Sequence, residues 1–129
     1  MTPAATLDVR LGPLGASVVD RVVAAVAARA ELPIDRISDA QIAAGAICAG
    51  AADERRRLPL RLAFEDQGLT MTVGPLQRGQ ASGLLESARV PGIEHVVETL
   101  ADTHAVEADG DGAEQLVLRF ARPAGRTTD

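Results

Sequence analysis

Leu58-Pro59-Leu60-Arg61-Leu62-Ala63-Phe64-Glu65-Asp66-Gln67-Gly68-Leu69-Thr70-Met71-Thr72-Val73 is the stretch from which the fold can be read. Leu58, Leu60, Leu62 and Phe64 recur at every second position, which places one apolar row on a single face of a strand. Asp66-Gln67-Gly68 supplies a turn and Leu69 to Val73 a return strand, so the stretch predicts a β-hairpin.

Upstream, Leu7, Val9 and Leu11 alternate with Asp8 and Arg10 and predict a half-buried strand over 6–11, ended by Gly12-Pro13. Val18, Val19, Val22, Val23 and Val26 then fall at helical spacing. They predict a helix over about 16–30, with Ser17 and Asp20 as its capping residue and first-turn acid. Pro33 breaks that pattern. Ser38 with Gln41 has the spacing of a capping box before Ile42 to Ala52, a second helix built almost entirely of small residues. Its two glycines, Gly45 and Gly50, cost about 1 kcal/mol each relative to alanine, so neighbours must hold it. Asp53-Glu54-Arg55-Arg56-Arg57 forms a charged break before the hairpin.

Downstream, the glycine-rich, apolar-poor segment Gly74 to Gly83 reads as a loop or lid, and Leu84 to Ala88 as a short helical turn. Gly92 precedes Ile93, Val96, Val97 and Leu100, whose spacing predicts a third substantial helix. His104 to Ala108 and Glu114 to Phe120 read as strands joined by Asp109-Gly110-Asp111-Gly112. The predicted order is βααββ-loop-αββ. It implies one α/β domain over 5–123, an α+β two-layer sandwich with a mostly antiparallel sheet and helices on one face, and a frayed tail over 124–129.

Composition narrows the chemistry through what is missing. Of the 129 residues only Phe64 and Phe120 are aromatic, so aliphatic side chains must build the core. All 13 basic residues are Arg, which removes a P-loop, Schiff-base or general-base lysine. There is no Asn, and the single Cys48 forms neither an internal disulfide nor a multi-cysteine zinc site. A net charge of −5 with few stacking rings argues against nucleic-acid binding. No apolar run reaches bilayer length and the start lacks the pattern of a secretory signal, so a soluble cytoplasmic protein is expected.

Taken together, element order, length and local strings resemble the bacterial anti-sigma-factor serine kinases of the GHKL ATPase superfamily, whose domain is the Bergerat fold. The likeness covers about 5–123. The family's second helix carries a Glu and, four residues on, an Asn that holds the magnesium of ATP. The matching stretch Gln41-Ile42-Ala43-Ala44-Gly45-Ala46-Ile47-Cys48-Ala49-Gly50-Ala51 keeps Cys48 and Ala51 but has Ala46 at the Glu position and Gly50 at the Asn position. Neither can activate an attacking group or ligate a hard cation. Where the family places an Asp against adenine, Thr72-Val73-Gly74-Pro75-Leu76 offers Val73, with Gly74 the glycine kept in register. The glycine-rich box after the lid is reduced to Pro91-Gly92-Ile93, and the final Gly-Gly-Thr reads Gly112-Ala113-Glu114, an acid where phosphate or adenine would lie. Leu100-Ala101-Asp102 and Arg119-Phe120-Ala121-Arg122-Pro123 look like the family's ending.

The resemblance therefore implies the fold without the chemistry: a non-catalytic anti-sigma-like regulator with no catalytic residues, cofactor or metal. Its partner would be a sigma factor or a STAS-type anti-anti-sigma protein, with neither nucleic acid nor membrane engaged directly, and homodimerisation is a further expectation from relatives. The competing readings are an ATP-binding anti-sigma serine kinase with an atypical site, holding ATP and magnesium, and an oligomerising scaffold. Candidate partner-binding residues are Arg21 and Arg29 on the first helix and the cluster Arg55, Arg56 and Arg57, whose planar forks suit acidic side chains. Read blandly, that cluster is a solvated helix end complementing the helix dipole. Cys48 reads as a packed small hydrophobe, His95 and His104 as surface histidines, Ser82 and Ser87 as loop polar residues, and Asp109 to Asp111 as a turn too short for an EF-hand loop.

Overall fold

The computed structural model describes residues 5–11, 16–53, 58–65, 68–88, 92, 95–108 and 110–121. In chain order the elements are β1 (Ala5–Leu11), α1 (Ala16–Arg29), α2 (Ile34–Asp53), β2 (Leu58–Glu65), β3 (Gly68–Gln77), α3 (Gln80–Ser87), α4 (Val96–Leu100), β4 (Thr103–Ala108) and β5 (Ala113–Ala121). The strands form one five-stranded sheet of order β1-β2-β3-β5-β4 in which every neighbouring pair is antiparallel. The α+β class expected from the sequence is present, and the hairpin of β2 and β3 occupies the centre.

Period-two patterning and register together build the core. Three rows run across the sheet on one face: Leu60, Val73 and Leu116; Leu62, Met71 and Leu118; and Phe64, Leu69 and Phe120. All but the partly buried Phe64 are at most 1 % exposed. On the other face Arg61, Thr70, Thr72, Val117 and Arg119 are only partly covered or exposed, the alternation expected of an antiparallel sheet with one wet face. Val19, Val23 and Ala27 of α1, Ala40, Ala43, Ala44, Ile47 and Cys48 of α2, Ala81 and Leu84 of α3, and Val96 and Val97 of α4 complete the same buried cluster. Burying each Leu or Val fully contributes roughly 1.5–3 kcal/mol, so the aliphatic rows supply what aromatics do elsewhere.

Helix boundaries follow local chemistry that the periodicity did not reveal. The chain leaves α1 through Glu31 at φ 60, with Leu32 N–H bonded to the Ala27 carbonyl at 3.1 Å and Glu31 N–H to that of Ala28 at 3.0 Å. This is a Schellman ending, and the accompanying apolar contact comes from buried Leu32. The next helix starts at Ile34, earlier than the expected capping box, because the Pro33 carbonyl accepts the Ile37 N–H at 2.9 Å. Ser38 and Gln41 consequently lie inside α2, and Gln41 Nε2 donates to the Asp20 carbonyl of α1 at 3.4 Å. Likewise Ser17 lies within α1 and Asp20 beyond its first turn.

Two predicted elements are corrected. The segment 74–83 is not a loop: β3 continues to Gln77, with Leu76 3 % exposed, and α3 starts at Gln80 after a turn at Gly79 with φ 87. Buried Ala81 and Leu84, three apart, give this short helix its inward face. The third substantial helix is one turn and a half, Val96–Leu100, because His95 at φ 52 precedes it and Ala101 returns to extended backbone. The Arg55 to Arg57 cluster, Pro91, Ile93, Asp109 and the tail 122–129 lie outside the described residues.

A polar clasp joins the helix layer to the last strand. Arg36 of α2 donates to Asp39 Oδ2 at 2.7 Å, to the Leu100 carbonyl at 3.2 Å and to Asp102, and its guanidinium lies 5.8 Å from the Phe120 ring centre. Asp102 Oδ2 also accepts the Ala121 N–H at 2.7 Å. Asp102→Ala therefore removes partners from two donors at once, and its urea midpoint is expected to fall by an amount equivalent to about 1–2 kcal/mol with the slope unchanged.

Candidate functional site

Of the positions singled out by the resemblance, Gly74, Glu114 and Gly50 lie at the two ends of α3, and Ala46, Val73 and Gly92 do not. At its N-terminus, α3 has Gly79 as capping residue and no side-chain cap of its own. Glu114, at the start of β5, takes that role from 33 residues away: its Oε2 accepts the Ala81 N–H at 2.9 Å. A carboxylate there satisfies a donor that the helix cannot and complements the positive end of its dipole. Gln80 Oε1 accepts the Gln77 N–H at 2.9 Å, which ties the helix to the end of β3, while its buried Nε2 makes no described hydrogen bond.

Gly74 sits beside Glu114 for a steric reason. The register of β3 against β5 shifts between Val73 and Leu76, and Gly74 adopts φ 149 there, before a cis bond to Pro75. A Cβ on Gly74 would stand 3.0 Å from Gln115 Cβ and 3.2 Å from the Glu114 carbonyl oxygen. Glycine suits this β-bulge because an added Cβ would crowd β5 and the positive φ is strained for any other residue. Val73 faces inward, fully buried between Leu60 and Leu116.

At the other end of α3, Ser87 rests on Gly50 of α2. A Cβ at Gly50 would lie 2.7 Å from Ser87 Oγ and 3.5 Å from Ser87 Cβ, and Ser87 Oγ itself donates to the Leu84 carbonyl at 3.3 Å. Ala46, one turn earlier, is 5 % exposed within the core. Gly92, at φ 85, is exposed with open space around it. Thus Gly74 and Glu114 meet at one end of α3, Gly50 meets the other, and Ala46, Val73 and Gly92 stand apart from both contacts.

Other candidates are placed as follows. Arg21 and Arg29 are exposed on α1, two turns apart, and neither makes a described side-chain bond. Cys48 is buried. His95 is exposed with Nδ1 3.5 Å from Glu98 Oε2, His104 lies on the exposed edge strand β4, and Ser82 and Ser87 are on exposed parts of α3. Among the described residues no group of three or more His, Cys, Asp or Glu is arranged to hold a metal ion, and no helix is long and apolar enough to cross a membrane. The reading of 84–88 as a short helical turn caught only the end of α3, and the Arg36 clasp was missed. The spacing of Ala81, Leu84, Leu85 and Ala88 was the available signal for the helix; nothing local marked Arg36.

None of the known family models matches this chain, and none of the curated proteins does either.

The role of Glu114 as a borrowed cap is open to direct measurement. Glu114→Ala is expected to destabilise by about 0.5–2 kcal/mol in thermal or urea unfolding, and Glu114→Gln, which keeps an acceptor but loses the charge, by less. Gly74→Ala is expected to cost about 1–3 kcal/mol, because the added carbon meets backbone rather than a mobile side-chain end.

Proposed function

We propose that this chain is a non-catalytic regulator with a degenerate Bergerat-type domain, acting by binding a sigma factor or a STAS-type anti-anti-sigma protein. The observation that carries the reading is the seat of α3. At the position where the resembling kinases have their magnesium-binding Asn, Gly50 lies under Ser87, and a longer side chain has no room without displacing it. Two further features point the same way. Glu114 directs its charge to the start of α3, where an incoming phosphate would have to compete with it, and the aliphatic Val73 has no acceptor for an adenine amino group. The chain holds no Asn at all, so no asparagine elsewhere can stand in for the missing one.

Under this reading Arg21 and Arg29 are the partner-facing cations among the described residues. Both are exposed and make no side-chain bond among the described residues, which suits them to receive carboxylates.

Titration with magnesium-ATP by calorimetry is expected to give no binding heat; micromolar affinity, or phosphate transfer to a STAS serine, would mean that the atypical-kinase reading is correct. With purified sigma factors and STAS proteins from the native host, one partner is expected to bind. Arg21→Glu combined with Arg29→Glu should weaken that complex about tenfold or more, with the loss concentrated in the association rate.

A further inference from the structure

We propose that the outer edge of β4 receives an extended segment of a basic protein partner as an added antiparallel strand. Among the described strands β4 ends the sheet, with β5 on one side and no strand on the other. A strand in that position directs the N–H and C=O of alternate residues, three of its six, away from its neighbour. Those groups recognise another extended backbone before any side chain is considered.

The usual protections of an edge are missing here. Natural edge strands are blunted by Lys, by Pro, by a covering helix or loop, or by an inward-pointing charge. Thr103-His104-Ala105-Val106-Glu107-Ala108 contains neither Lys, Arg nor Pro, and all six residues are exposed. The register gives that exposure a meaning. Val106 lies opposite Leu116 and His104 opposite Leu118, both partners fully buried, so these two side chains continue the apolar face that the helices cover. Val106 is nevertheless 46 % exposed. The helix layer gives out between β5 and β4, and an added strand sets an aliphatic side chain beside Val106 in that open step.

Charge selects the kind of strand. From Glu107 to Glu114 the chain holds four acids, Glu107, Asp109, Asp111 and Glu114, and no Arg. Glu114 is committed to α3, whereas Glu107 is bonded to the neutral Gln115 amide at 3.3 Å and Asp111 is exposed. The one Arg at this end is Arg78, next to Gln77 of β3, which stands two strands from β4, about 10 Å away. At the other end the charges cancel: Arg36 is paired with Asp39 and Asp102, and Arg119 lies opposite Thr103. The edge is therefore acidic only where β4 finishes. A second copy would bring the same acids and a net charge of −5, with nothing to attract it. A strand with cations in its N-terminal half, running antiparallel as every pair in this sheet does, lays them against Glu107 and the turn.

The test uses the full chain and a labelled synthetic peptide of about eight residues, alternating Val with Arg in its N-terminal half and Val with Thr in the rest. By fluorescence anisotropy it is expected to bind with a dissociation constant of about 100 μM or below, and the reversed sequence at least about threefold more weakly. Methylating alternate backbone nitrogens keeps the charge but removes the strand's donors; one of the two phases should lose at least about tenfold. Glu107→Arg, at an exposed position, should weaken binding about fivefold or more with unchanged circular dichroism. Added peptide should slow hydrogen exchange at the outward amides of 103–108. No binding, equal binding by the methylated or reversed peptides, a Glu107→Arg chain that binds like wild type, or unchanged exchange would each overturn the proposal. Slow exchange of those amides before peptide is added would overturn it too, since the chain itself or a second copy would already fill the edge. The site lies apart from Arg21 and Arg29 on α1 and takes a ligand of the opposite charge, so its failure leaves the partner reading standing.

Discussion

Everything in this structure depends on covering one aliphatic face of the sheet with helices that can come very close to it. The rows through Leu60, Leu62, Val73, Met71, Leu116 and Leu118 contain no aromatic residue, and the only two phenylalanines lie on the next row, on either side of Leu69. Of the helices that cover this face, α2 contributes the small residues Ala40, Ala43, Ala44 and Ala46, all buried. Small side chains forfeit area per residue but permit many backbone-near contacts, and interior packing rewards that closeness.

The same economy of side chains leaves the helix layer short of local anchors, and the structure supplies them from a distance. Arg36 reaches from the start of α2 to Leu100, Asp102 and the ring of Phe120, while Asp102 reaches on to the Ala121 N–H. Glu114 caps a helix to which it is not adjacent in sequence, and Ser87 seats that helix on a glycine of α2. These ties give α3 a defined place across the region where the resemblance led us to look for a nucleotide. They also explain the mixture of residues there: an acid that serves as a cap, a glycine that serves a bulge and another that serves a helix contact.

Much of the fold was legible because its signals are periodic and local. The alternation of Leu58 to Phe64 and of Leu69 to Val73 led directly to β2 and β3, and the valine spacing from Val18 to Val26 to α1. Legibility failed where a local pattern was overridden. Glycines at 74, 79 and 83 suggested a loop, yet Gly74 belongs to a bulged strand, Gly79 to a turn, and Gly83 to a helix held by buried Ala81 and Leu84. The apolar spacing from Ile93 to Leu100 suggested a long helix, but the left-handed backbone at His95 permits only a short one. Ser38 and Gln41 had the right spacing for a cap and lost it to Pro33, whose carbonyl opens the helix earlier.

The sequence by itself determined which residues lie on the apolar faces of α1, β2 and β3, that the hairpin forms, and that no Lys or Asn is at hand, since each of these follows from residue identity and a period of 2 or 3.6. Tertiary structure alone decided that β5 inserts between β3 and β4, that Glu114 serves α3, and that Gly50 lies beneath Ser87. Those outcomes are contacts between segments tens of residues apart. They are selected by how the whole apolar face can be covered at once, a condition that no window of neighbouring residues contains.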